Sequence, residues 1–208
     1  MYPIDLTVTE AERSSALQAG ARWNEKYAVW YVPRTFNAEP LSRWLTARHH
    51  VNVRARALWL GRVYAPCPIC ETSIPLHGLV VPAGHSALIA AADPDEDFWR
   101  VIEEPAQLYD VAYVSAGLQA ALRVHAPTYR LGYSELLEGF GWMNYCRHCR
   151  ERIEDQGCAL DFGSPLNPLD EHMAAKITLK ELRVELEATC GSQSCGVQFF
   201  DQMPRSCA

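Results

Sequence analysis

Apolar and polar positions alternate along Ile4-Asp5-Leu6-Thr7-Val8, the period of a half-buried strand. Thr9-Glu10-Ala11-Glu12 follows as a capping box, with Thr9 at the N-cap and Glu12 at the reciprocal position, and predicts a short helix to about Ala19. Gly20 stands where a left-handed C-cap ends such a helix. Asn24-Glu25-Lys26 predicts a turn, and Ala28-Val29-Trp30-Tyr31-Val32 a second strand stopped by Pro33. Asn37 caps a last helix carrying Leu41, Trp44 and Leu45. Together these elements make a β-α-β-α module over residues 1–46.

Beyond the module, Ser73 to Val81 reads as a strand with Ile74, Leu76, Leu79 and Val81 apolar. Ile177 to Leu186 fits a bulged strand somewhat better than a helix, whereas Tyr109 to Ala121 mixes strand-type and helical residues and satisfies neither period. The most apolar region, Gly78 to Ala92, is interrupted by Pro82, Gly84 and His85, and is too short and broken to span a membrane. The resulting fold class is α+β: the small module, then a mostly β domain over residues 47–208 with a long insertion.

The insertion is defined by two Cys-x-x-Cys pairs, Cys67-Pro68-Ile69-Cys70 and Cys146-Arg147-His148-Cys149, with 75 residues between them. Each pair closes a tight knuckle that presents two thiolates to one ion, and two knuckles complete a tetrahedral four-sulfur shell of the structural zinc type. Both follow aromatic, strand-like segments, as in a zinc ribbon built from two hairpins. Such a shell has no open position for water or substrate, which argues against zinc catalysis. His148, inside the second knuckle, is expected beside the site and not on the metal. Asn144 is placed to bond knuckle amides or backbone. Cys190 and Cys195 are expected as free thiols, their alternative being a half-site completed by Cys158 and Cys207. Disulfides are the competing reading for any of the eight cysteines, but Met1-Tyr2-Pro3-Ile4-Asp5 carries no secretion signal, so reduced thiols in a cytoplasm are expected.

Charge alters the picture of partners. The net charge of −6 divides unevenly: residues 1–66 carry nine Lys/Arg against five Asp/Glu, and residues 67–208 ten against twenty. Arg43 to Arg62 holds five Arg and no acid. Arg43, Arg48, Arg54 and Arg56 are therefore the candidate phosphate contacts, while a solvated strand edge kept from mispairing is the plainer reading. Trp23, Trp30 and Trp44 are expected in the core rather than as base-stacking platforms. The acidic loop Asp93-Pro94-Asp95-Glu96-Asp97 lacks calcium-loop spacing. No nucleophile elbow, phosphate loop, His-Glu-x-x-His or dinucleotide fingerprint is present, so no catalytic residue is assigned.

Glu10-Ala11-Glu12-Arg13, then Gly20-Ala21-Arg22-Trp23-Asn24, then Trp30-Tyr31-Val32-Pro33 resembles a small domain of unknown function. That domain occurs in bacterial and plasmid proteins, including the DNA primases of conjugative plasmids. Its signature is an acidic helix start, a Gly-Ala-Arg-Trp turn and a Trp-Tyr-Val-Pro strand. The resemblance implies an accessory module and no primase activity. The rest, Ala57-Leu58-Trp59-Leu60, Thr72-Ser73-Ile74-Pro75-Leu76 and Trp142-Met143-Asn144-Tyr145-Cys146-Arg147-His148-Cys149, resembles uncharacterised bacterial proteins with the same module. There, an Asn-x-Cys-x-His-Cys segment completes the first Cys-x-x-Cys and a Gly, an acidic residue and an apolar strand follow. Gly157-Cys158-Ala159-Leu160-Asp161-Phe162 takes that place only loosely. This resemblance implies zinc binding and no established reaction. The expectation is a non-catalytic zinc-binding accessory protein with nucleic acid as partner; the rivals are a protein-interaction adaptor or inhibitor using the acidic region, and an enzyme with scattered active-site residues.

Overall fold

The structure, a computed structural model, describes residues 4–25, 28–32, 39–44, 51–90, 97–137, 139–194 and 197–206. The chain divides into two compact units: residues 1–50 with 131–141, and residues 51–130 with 142–208. Among the described residues no helix is long and apolar enough to cross a membrane.

In the first unit, β1 (Ile4–Leu6) leads through a 3-10 turn into α1 (Arg13–Gln18), then β2 (Arg22–Asn24) and β3 (Val29–Val32), and a 3-10 turn covers Glu39–Trp44. The sheet order is β1-β3-β2, with Ile4 opposite Val32 and Trp23 opposite Trp30. Gly20 follows the helix at φ +104°, the left-handed stop expected of it. Three expectations are corrected. The Gly-Ala-Arg-Trp turn is partly a strand, because Arg22 to Asn24 pair with β3. The second helix is a single 3-10 segment. Only the reciprocal half of the capping box forms: Glu12 accepts from the Thr9 amide and, at 2.6 Å, from the Thr9 hydroxyl, which caps no helix amide. Asn37 and Pro33 lie outside the described residues. Leu6, Ala16, Trp30, Leu41 and Trp44 are buried, but Trp23 is 44% exposed at the sheet edge and leans on Trp30 at 5.4 Å, so it is not a core residue.

The second unit is built on a nine-stranded sheet. Its strands are β4 (Val53–Ala55), β5 (Leu58–Pro66), β6 (Ser73–Val81), β7 (His85–Ile89), β8 (Phe98–Ile102) and β9 (Ala106–Val114), with β13 (Thr178–Leu182), β14 (Leu186–Gln193) and β15 (Arg205–Ser206) later in the chain. Between β9 and β13 in the chain come α2 (Ala116–His125), the strands β10 (Tyr129–Ser134), β11 (Gly139–Tyr145) and β12 (Arg152–Ile153), and α3 (Glu171–Ala174); residues 131–141 of β10, β11 and their turn belong to the first unit. The order is β15-β13-β5-β6-β9-β14-β4-β7-β8, and β10-β11-β12 form a separate sheet. Tyr109 to Ala121, which fits neither period, is a strand that turns into α2 at Ser115. Ile177 to Leu186 is not one bulged strand: β13 ends at Leu182 and β14 begins at Leu186. The stretch expected as an apolar strand after the second knuckle is a π-helical turn, Gln156–Leu160, which buries Cys158 and Ala159.

β6 lies in the sheet interior and is buried on both faces from Leu76 onward, which explains its continuous apolar run. On one face of β5 and β6, Val63, Ala65, Ile74, Leu76 and Val80 pack with Ile153, Cys158, Leu166, Ile177, Leu179 and Met203. Cys67 and Cys146 belong to this same core, so the two knuckles are rooted in packed apolar side chains.

Candidate metal centre

β5 runs directly into Cys67 and β11 directly into Cys146. In the first knuckle the Cys67 amide donates to the Thr72 carbonyl and the Glu71 amide to the Cys67 carbonyl, both at 2.9 Å. In the second, the Cys146 amide donates to the Glu151 carbonyl and the Arg150 amide to the Cys146 carbonyl, again at 2.9 Å. Glu71 and Arg150 occupy the left-handed region at φ 58° and 65°. The outgoing strands pair in the same register, Pro66 opposite Ser73 and Tyr145 opposite Arg152. Two unrelated stretches of sequence thus fold into one local geometry, because each must turn its second thiol back beside its first.

The four sulfurs converge. Cys67 Sγ lies 3.7 Å from Cys149 Sγ, and Cys70 Sγ 3.6 Å from Cys146 Sγ. All four lie within 4.8 Å of one another. A metal–sulfur bond of about 2.3 Å in a tetrahedron requires sulfur–sulfur edges of about 3.8 Å, and a disulfide requires about 2.05 Å. The spacing fits four thiolates around one ion, and the cysteines are free. Cys67 and Cys146 are buried, Cys70 is partly covered and Cys149 is exposed, so the centre sits at the rim of the core.

Electrostatics of the bare cluster favour a cation. The hydroxyl and amide of Thr72 bring the Cys70 thiol down to about 6. Amides of Cys149 and His148 hold Cys146 below its ordinary value despite lost hydration. Cys149 is pushed up to about 12: the Glu151 amide lowers it, but lost hydration and the sulfurs of Cys146, Cys67 and Cys70 outweigh that help. Four negative sulfurs do not coexist without a positive ion between them, and a bound metal ionises all four.

Asn144 locks the second hairpin to the first. Its Oδ1 accepts from the His77 amide at 2.8 Å and its Nδ2 donates to the His77 carbonyl at 2.9 Å. β9 pairs with β6 only over Leu79 to Val81, so this edge of His77 is left without a strand and the Asn144 side chain stands in for one. His148 is outside the cluster, its Nε2 accepting from Arg147 Nε at 3.2 Å. Cys158 is buried beside Asn144, and Cys190 is buried with its backbone bonded to Asn52; neither joins the cluster. Cys195 and Cys207 lie outside the described residues.

The basic candidates fall in different units of the chain, Arg43 in the first and Arg54 and Arg56 in the second. Arg54 pairs with Glu187 across β4 and β14 at 3.4 Å and lies over the Trp99 ring at 4.3 Å. Arg43 is exposed and covers Trp44 at 3.9 Å. Arg56 is exposed, and Arg48 lies outside the described residues. Sequence reasoning missed the left-handed positions Glu71 and Arg150. Neither is a glycine, and only their place one residue after each Cys-x-x-Cys signals them.

No curated protein and no solved structure matches the chain. Residues 4–46 match the family described as Domain of unknown function (DUF5710), so the first module of this chain is similar to that domain.

Proposed function

We propose that this chain is a non-catalytic binding protein organised by one structural zinc at Cys67, Cys70, Cys146 and Cys149, in a split zinc-ribbon-like arrangement. The observation that carries the proposal is the convergence of four thiols at tetrahedral spacing. Zinc suits an all-sulfur tetrahedral shell, and supplies here a cross-link and no reactive water. The ion fastens the β5–β6 hairpin to β11 and β12. The surface on that scaffold, not the metal, then does the work.

For the partner we propose nucleic acid, supported by the exposed Arg43 and Arg56 on a segment without acids. Arg54 contributes less than its charge suggests, since Glu187 already neutralises it. The test is binding of the zinc-loaded chain to short single- and double-stranded DNA from low to moderate salt. Affinity should fall steeply as salt rises, and Arg56→Glu should weaken it about fivefold or more. No binding at low salt removes this partner.

A specific observation favours a protein partner as the second reading. Among the described residues β8 is the last strand of the nine-stranded sheet, and its Phe98 and Val101 are 52% and 62% exposed, with Trp99 also open. An open edge with apolar side chains pairs readily with a strand of another protein. Binding that survives high salt and is lost in Val101→Lys supports this reading over the first.

A further inference from the structure

A cavity of about 210 Å³ in the second unit lies away from the four cysteines and has a different chemistry. Strand register builds it. Arg62 on β5 stands opposite His77 on β6 and Thr178 on β13, forming one polar rung across three strands. Leu60 stands opposite Lys180, which pairs in turn with Ser206 on β15, forming the next rung on the same face. His125, in the last turn of α2, completes the lining.

The lining carries two full positive charges and no acid. Among the described residues neither Arg62 nor Lys180 makes an ion pair. Arg62 lies over the Tyr64 ring at 5.8 Å, and Lys180 Nζ rests 3.2 Å from His125 Nδ1. His77 is 3% exposed and lines the cavity; its buried Nδ1 makes no hydrogen bond of ordinary geometry, and its side chain lies beside Asn144. The C-terminal end of α2 contributes about half a negative charge, which the two cations outweigh.

We propose that this cavity binds a compact tetrahedral oxyanion of the phosphate class. Arg62 and Lys180 supply the charge, and Thr178, Ser206 and His77 supply hydrogen-bonding groups. The volume is below the roughly 300 Å³ at which sites for drug-sized ligands begin, so the cavity takes a phosphate group and leaves any attached group outside. Burial and the neighbouring Arg62, opposed by Asn144, lower His77 to about 4. The imidazole is therefore neutral at pH 7, with one donor and one acceptor nitrogen, and a bound oxyanion selects the tautomer that donates to it.

The test is calorimetric titration of the zinc-loaded full chain with inorganic phosphate at pH 7.5, with sodium chloride at matched ionic strength as control. Saturable binding is expected with phosphate and not with chloride. Lys180→Gln and Arg62→Gln should each weaken it about tenfold, or about 1.4 kcal/mol. Thr178→Val leaves net charge and shape nearly unchanged and should still weaken binding severalfold, which a diffuse charge effect does not explain; thermal unfolding without phosphate checks that each variant is folded. A nucleoside 5′-monophosphate binding more tightly than phosphate assigns the site to a phosphomonoester, and equal affinity assigns it to the free ion. Absence of saturable phosphate binding, unchanged affinity in folded Lys180→Gln and Thr178→Val, or equal binding of the unphosphorylated nucleoside each overturns the proposal.

Discussion

At the scale of single residues, Asn144 carries more of the architecture than its size suggests. One carboxamide satisfies both backbone groups of His77 in a buried setting. Asn144→Ala leaves a buried N–H and a buried C=O unpaired, each costing about 1–3 kcal/mol. The expected loss is at least about 2 kcal/mol in denaturant unfolding, together with weaker metal retention because Cys146 follows two residues later. An unchanged midpoint contradicts the role. Sequence position marked Asn144 as a hydrogen-bonding residue but not its partner, since His77 is brought to it only by the meeting of two hairpins. Asp155 and His77 make opposite contributions to the pH response. Burial, opposed by the Asp110 amide and reinforced by the charges of Asp110 and Glu154, pushes Asp155 up to about 6 from 3.8. The folded state thus holds that proton more tightly, so the stabilisation present below pH 4 is lost as pH rises to 6. His77 works in the other direction: its depressed value of about 4 gives stability that is present above 6.5 and lost as pH falls to 4. The two contributions offset each other between pH 4 and 6.5. Asp155→Asn keeps an acceptor for the Asp110 amide and removes the first contribution. The variant should be more stable than the parent by about 1–3 kcal/mol at pH 7.5, equal to it near pH 4, and should show stability rising between those limits. Parallel pH profiles for variant and parent reject this assignment.

Elements show where local pattern decides and where it does not. β6 begins and ends at the residues its apolar spacing indicates, Ser73 and Val81, because a strand buried on both faces admits little else. The α1 stop is equally local: Gly20 sits at φ +104°. Gly20→Ala should cost on the order of 1 kcal/mol through that positive φ, measured as a lower unfolding midpoint, and an unchanged midpoint counts against the stop. Arg22 to Asn24 were legible only as a turn, since three residues become a strand by pairing with β3 and not by their own period. Gln156 to Leu160 depart from the strand expected there because Cys158 and Ala159 are drawn into the core behind the knuckle. β9 is continuous from Ala106 to Val114, but its register against β14 shifts where Thr189 faces Tyr113 and Cys190 faces Val111, leaving Ala112 as the extra residue; just before it, Asp110 holds a φ of 53°, with Asp155 taking its amide and Gly191 leaving room for its side chain. No sequence period announces such a bulge.

For the molecule as a whole, the sheet order was not readable from the chain, since strands distant in sequence, such as β4 and β14, become neighbours through side-chain packing. The four-cysteine cluster was readable, because Cys-x-x-Cys spacing is a local constraint repeated twice. The two knuckles are separated by 75 residues in sequence, so under the proposed function one ion closing that loop would couple metal binding to folding of the second unit. Removing the ion should expose Cys67 and Cys146, now buried in the core, and lower the unfolding midpoint of the whole second unit. The most direct measurement is metal content of the chain purified without added metal, for the parent and for Cys67→Ser and Cys149→Ser. The account predicts close to one zinc per parent chain, and loss of that zinc with a large fall in stability in both variants. A metal-free parent that is folded and stable, or full zinc retention in both variants, contradicts it.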